Sequence, residues 1–184
     1  MVYHIPTQHG PANLLRLHPT GYRAAMVLFP YDDYKAWVGS YPVEVAQRQF
    51  EKIARMWEPG LEKFRQALPM IPEQKRGSAR RDMGIAETCY SHFRSVSNQI
   101  HFCRLRELWG SADPDGRQSI AREMARIADD EIQLAKRQFA IARSDSTISF
   151  EASNHYYYRP LDLAEKVVSC ADLIARLKKL EPEH

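Results

Sequence analysis

Hydrophobic positions from residue 42 onward recur at the spacing of α-helices. In the first segment they follow one another by three or four residues, which places them on one helix face: Ala46, Phe50, Ile53, Trp57, Leu61, Phe64 and Leu68. Pro42 suits the first turn of this helix, because its missing N–H is not needed there. We expect the helix to end near Ala67, before Pro69 and Pro72, and to be kinked or split at Glu58-Pro59-Gly60.

Three further helices follow with the same periodicity. One runs from about Pro72 to Trp109, and Gly110 stops it. The next opens with Asp113-Pro114, a cap residue followed by proline, and extends to about Arg143. The last begins at Pro160, with an apolar stripe formed by Leu163, Val167, Cys170, Ile174 and Leu177. The pattern predicts a mainly α fold, an antiparallel bundle of about four helices.

The first 41 residues have a different composition. Five prolines and three glycines up to residue 42 exclude a long regular element. We therefore divide this single-domain chain into an irregular N-terminal arm, 1–41, and a helical bundle, 42–184. Tyr22–Phe29 is the only plausible strand, and it is short. A lone strand would lie against the helices or await another chain.

Charge and hydropathy narrow the range of partners. A net charge of +3 is well below what a dedicated nucleic-acid-binding protein carries on its binding face. The one basic cluster, Lys75, Arg76, Arg80 and Arg81, lacks interleaved aromatic residues and is interpreted as a solvated helix surface. No apolar run has the length of a membrane span, and no secretory signal is visible at Met1. We expect neither nucleic acid nor a membrane as partner.

Metal and cofactor sites are not indicated. Cys89, Cys103 and Cys170 form no CxxC pair and lie on apolar stripes, so we interpret them as buried thiols, with a single disulfide as the alternative. A di-metal bundle needs Glu-x-x-His pairs on facing helices, and the sequence has a single one, Glu181-Pro182-Glu183-His184, beyond the apolar stripe of the last helix. His92 and His101 are expected to be hydrogen-bonded helix residues.

Two segments combine acids, amides and aromatic rings outside the helical periodicity. The first contributes Asp32, Asp33, Trp37 and Tyr41; the second contributes Glu151, Asn154, His155, Tyr156, Tyr157 and Tyr158. Sugar sites use such residues, because rings stack on pyranose CH groups and acids bond hydroxyls. The same side chains could instead cap turns and wedge loops against helices.

The segments from Tyr22 to Phe64 and from Asp129 to Cys170 resemble the C-terminal helical region of large bacterial glycoside-hydrolase-like proteins. The resemblance implies a carbohydrate context and a catalytic barrel that precedes the helices. It supplies no catalytic residue, and the barrel is not in these 184 residues.

Three functional hypotheses follow. The first is an accessory domain whose acid-aromatic loops face a glycan or a neighbouring catalytic domain; its parent protein could be secreted. The second is a structural interaction module, most simply a homo-oligomer. The third, an enzyme in its own right, would be a glycoside hydrolase using Glu151 and His155 as acid and base.

Overall fold

The computed structural model describes residues 10–21, 32–149 and 158–180. Five α-helices occur in these ranges: α1 (Tyr34–Val38), α2 (Val43–Ala67), α3 (Glu73–Trp109), α4 (Pro114–Ser144) and α5 (Pro160–Lys178). Short 3₁₀ turns at Leu68–Met70 and Ser146–Ser149 follow α2 and α4. The predicted antiparallel helical bundle is confirmed. The predicted strand, Tyr22–Phe29, lies outside the described residues.

The ends of the long helices follow the local sequence. Asp113 caps α4, since its Oδ1 accepts a hydrogen bond of 2.7 Å from the Gly116 N–H. Prolines open α4 and α5, as predicted. Helix α2 is not split at Pro59. Pro59 and its neighbours are exposed, so water can bond the backbone carbonyl that the proline leaves free.

Successive helices pack against one another: α2 on α3, α3 on α4, and α4 on α5. The largest core cluster joins α3, α4 and α5 around Phe102, Met124, Ile127 and Cys170. On the other side of α3, Tyr34 of α1 packs with Val96, Ile100 and Cys103, next to Phe50 of α2. Helix α3 is therefore central, and α2 and α5 are the outer members of the series.

No helix in the described ranges combines the length and the apolar character needed to cross a bilayer. Residues 10–21 of the arm form no helix or strand. Two of them, Ala12 and Leu15, belong to the core clusters.

Candidate functional site

The acid-aromatic residues of the first segment have different environments. The carboxylate of Asp32 is 3% exposed. Its two oxygens accept hydrogen bonds of 2.6 Å from the backbone N–H and the hydroxyl of Thr20, and Arg106 lies 3.6 Å away. Asp33 precedes α1 without capping it through its side chain, and Trp37 lies within α1. Tyr41, just before α2, is exposed. Asp32 therefore links the arm to α3, and among the described side chains of this segment Tyr41 offers an exposed ring.

Only one residue of the second predicted segment is described. Tyr158 is buried, and its hydroxyl lies 2.6 Å from Nδ1 of His92 on α3. Glu151, Asn154, His155, Tyr156 and Tyr157 lie outside the described residues. Asp32 and Tyr158 have different neighbours, and convergence of the two segments on one ligand remains a prediction.

A buried polar network at the centre of the bundle was not predicted. The Nζ of Lys166 on α5 lies 2.8 Å from Oε2 of Glu131 on α4, and both side chains are fully buried. The same Oε2 accepts a hydrogen bond of 2.7 Å from Ser95 Oγ, and Oε1 accepts one of 2.8 Å from Asn98 Nδ2. Glu131 thus has partners on two neighbouring helices, as a buried carboxylate requires.

The N-terminal arm completes this network. Lys166 Nζ also donates to the backbone oxygen of Asn13. Gln99 Nε2 donates to the backbone oxygen of Gly10 at 2.9 Å, and Gln99 Oε1 accepts from Asn13 Nδ2 at 3.3 Å. Residues 10–13 therefore lie between α3 and α5 and supply backbone oxygens that accept hydrogen bonds from Gln99 and Lys166.

The network contains residue types that could carry chemistry, but it is closed. Ser95, Glu131 and Lys166 have no exposed surface, and the described ranges contain no cluster of His, Cys, Asp and Glu suited to a metal ion. Burial lowers the pKa of His92, so this imidazole is held neutral beside Tyr158. We interpret the network as a structural device that fixes how α4, α5 and the arm sit on α3.

The cysteines are free, as predicted. Burial raises the pKa of the Cys103 thiol to about 12 and that of Cys170 to about 11. Both thiols therefore remain protonated near neutral pH and behave as small apolar side chains. Cys89 is half-buried.

Helix α2 presents a face without charge. With 100° between successive residues, all nine charged side chains of α2 fall outside a sector of about 120°. This uncharged sector, called the α2 face below, consists of Ala46, Gln49, Ile53, Met56, Trp57, Gly60, Phe64 and Ala67. Ile53 is 38% exposed, Met56 67% and Trp57 37%. Contact with α3 thus leaves much of the α2 face uncovered.

Trp57 is held in place on this face. Its indole Nε1–H donates a hydrogen bond of 2.9 Å to the backbone oxygen of Ala86, and its ring centroid lies 6.0 Å from that of Phe93. Four basic side chains lie along the edge of the α2 face that points away from α3. Lys52 and Lys63 are nearest to the face, and Arg48 and Arg55 lie farther round the helix. All four are exposed, and none pairs with a carboxylate in the described part of the chain.

Helix α5 has a smaller apolar face on its outer side. Leu161 is 71% exposed and Val168 70%, and the alanines at 164, 171 and 175 lie on the same side of the helix. Glu165 and Asp172 lie along one edge; Asp172 pairs with Arg176 at 2.8 Å, and both of those side chains are exposed. The α5 face consists of Leu161, Ala164, Val168, Ala171 and Ala175.

These faces and the network differ in how the sequence could have revealed them. Glu131 and Lys166 occupy positions on the apolar stripes of two helices, and opposite charges on two such stripes indicate a buried pair. The α2 face shares four residues with the apolar stripe predicted for this helix: Ala46, Ile53, Trp57 and Phe64. Periodicity alone does not tell which part of such a stripe finds a neighbour. Comparisons with protein-family models, with curated proteins and with solved structures found no match.

Proposed function

We propose that this protein is a self-associating helical module in which the α2 face of one copy docks on the α5 face of another. The observation that carries the proposal is the uncovered, charge-free face of α2 with its edge of unpaired basic side chains. An exposed apolar patch rimmed by polar residues is characteristic of a protein-binding surface.

The choice of a second copy as the partner rests on complementarity. The α5 face offers small apolar side chains, onto which Met56 and Trp57 can pack closely. Its edge carries the carboxylate of Glu165, beside the Asp172–Arg176 pair. The edge of the α2 face carries Lys52 and Lys63. Two α2 faces pairing antiparallel would instead bring basic edge against basic edge, which disfavours that arrangement.

The two faces lie on the outer helices of the series, so one copy can use both at once. An interface between two different surfaces is heterologous, and it leads to a ring or an open chain rather than a closed dimer. We therefore expect assemblies larger than dimers whose mass rises with protein concentration.

Light scattering on two blocked variants tests the proposal. Met56→Glu removes the α2 face and Val168→Glu removes the α5 face, and we expect each variant alone to be monomeric. Their equimolar mixture should give a heterodimer, because one intact α2 face and one intact α5 face remain. Leu108→Glu, a change at an exposed apolar residue outside both faces, should assemble like the wild type.

The result is decisive in either direction. A wild-type protein that stays monomeric at high concentration would overturn the proposal. So would a Val168→Glu variant that still assembles, since that outcome points to an interface built from α2 faces alone. Circular dichroism checks that the variants remain folded, which we expect because Met56 and Val168 are largely exposed.

A carbohydrate-binding accessory domain is retained as the alternative proposal. It is supported by the exposed ring of Tyr41, which could stack on a pyranose. Oligosaccharide titrations followed by tyrosine and tryptophan fluorescence test it. A saturable change that Tyr41→Ala abolishes would favour this alternative, and an unchanged spectrum would reject it for the sugars tried.

A further inference from the structure

The turn between α2 and α3 contains a pocket with two arginines and no carboxylate in its lining. Its volume is about 320 Å³, and it is lined by Leu68, Pro69, Arg76 and Arg80. The two arginines are four residues apart near the beginning of α3, so their side chains lie on the same face of the helix. We propose that this pocket binds the phosphate group of a phosphate monoester.

The two guanidinium groups are available to a ligand. Arg76 Nε donates a hydrogen bond of 3.0 Å to the backbone oxygen of Ile71, which orients the guanidinium over the turn and leaves its two Nη groups free of that contact. Neither Arg76 nor Arg80 pairs with a carboxylate within the described ranges. Like charges one turn apart repel, and an anion between them relieves that repulsion.

The chemistry of the lining favours a phosphate monoester over other anions. Guanidinium groups bind phosphate oxygens through paired N–H donors, and two of them match the charge of about −1.5 to −2 that a monoester carries at neutral pH. The pocket is larger than a phosphate group, and Leu68 and Pro69 supply an apolar wall for the attached organic group. Met70, exposed at the same turn, extends this apolar surface.

Two sources could present such a group, a soluble phosphate ester and a lipid headgroup. Phenyl phosphate, titrated by calorimetry, represents the first. Co-sedimentation with phosphatidylcholine vesicles, with and without phosphatidic acid, represents the second. Binding in either assay supports the site and identifies its source, whereas binding in neither overturns it.

Matched double variants separate a defined pocket from diffuse attraction. Arg76→Gln with Arg80→Gln removes both pocket arginines, and we expect affinity to fall at least about tenfold because two charge-assisted contacts are lost. Lys75→Gln with Arg81→Gln removes the same charge from the same stretch but not from the pocket lining, and should cost no more than about threefold. Equal losses in the two variants would overturn the proposal. The measurement is independent of self-association, because neither pair lies on the α2 or α5 face.

Discussion

The two sides of α3 differ in how completely they are covered. One side is enclosed by α4, α5 and the arm, where Ser95, Asn98 and Gln99 donate hydrogen bonds to neighbouring elements or to one another. The other side is covered chiefly by α2, whose own face remains partly exposed at Ile53, Met56 and Trp57. Polar side chains are therefore buried on the enclosed side, whereas apolar side chains are exposed to solvent on the open side.

This difference assigns a role to each side. A buried charge is costly unless its partners surround it, and a different packing of the helices would separate Glu131 and Lys166 from theirs. We therefore infer that the enclosed side fixes the fold. Exposed apolar groups gain free energy when a partner covers them, so we place binding on the outward surfaces, the α2 face on the open side and the α5 face, rather than in the network.

The largest effect should come from breaking the buried ion pair. Lys166→Met leaves the carboxylate of Glu131 enclosed without its cation, and we expect a loss of about 3–5 kcal/mol in the free energy of unfolding. Urea denaturation followed by circular dichroism measures it.

The control is the double variant Lys166→Met with Glu131→Leu. Replacing both charges by apolar side chains should recover most of the lost stability, since no buried charge is left uncompensated. A single variant as stable as the wild type would contradict the closed network. Self-association by the double variant would show that the α2 and α5 faces bind each other without the buried charges.

A smaller loss should follow from adding one methyl group where the arm meets α3. Gly10 has a φ of +139°, and a Cβ there would lie 2.7 Å from the Tyr158 hydroxyl and 3.1 Å from His92 Nδ1. We expect Gly10→Ala to destabilise the protein by about 1–3 kcal/mol through strain and crowding.

Gly77→Ala is the matched change in an open position. Gly77 belongs to α3, and apart from its chain neighbours and the local helix backbone no atom lies within 4 Å of a Cβ there. Alanine is favoured over glycine in a helix by about 0.5–1 kcal/mol, so thermal unfolding should shift upward. A Gly10→Ala variant whose thermal unfolding shifts upward like that of Gly77→Ala would contradict the close contact of Gly10 with His92 and Tyr158.

Local sequence predicted the helices well and their surroundings less well. Periodicity, proline and cap residues depend on neighbours in the chain, and they located α2, α3, α4 and α5. Whether Asp32 faces a ligand or Thr20 depends on contacts between separated segments, which these patterns do not contain. The same holds for Tyr158, whose partner His92 lies 66 residues away.

The imidazole of His92 should make stability depend on pH. Because burial lowers its pKa in the folded state, the unfolded chain binds the proton more readily. Stability is therefore full above the ordinary pKa of about 6.5 and declines as the pH falls below it, until the folded state is protonated as well.

His92→Gln should flatten this decline, which denaturation midpoints between pH 7 and about 5 would reveal. His101 also has a pKa lowered by burial, although Glu123 opposes the shift. His101→Gln serves as the comparison, and we expect it to change the slope less because His101 lies beside that carboxylate. A slope unaffected by His92→Gln would contradict a neutral, enclosed imidazole.

The smallest effect should come from an ion pair on the surface. Arg126 and Glu123 approach to 2.6 Å, as close as the buried pair, but they lie in water on α4. Arg126→Met should change the free energy of unfolding by less than about 1 kcal/mol, and the difference should shrink further at high salt. A loss comparable to that of Lys166→Met would mean that burial is not what makes the central pair important. A small, salt-sensitive loss would assign that importance to the enclosure supplied by α5 and the arm, since the distance between the charges is nearly the same in both pairs.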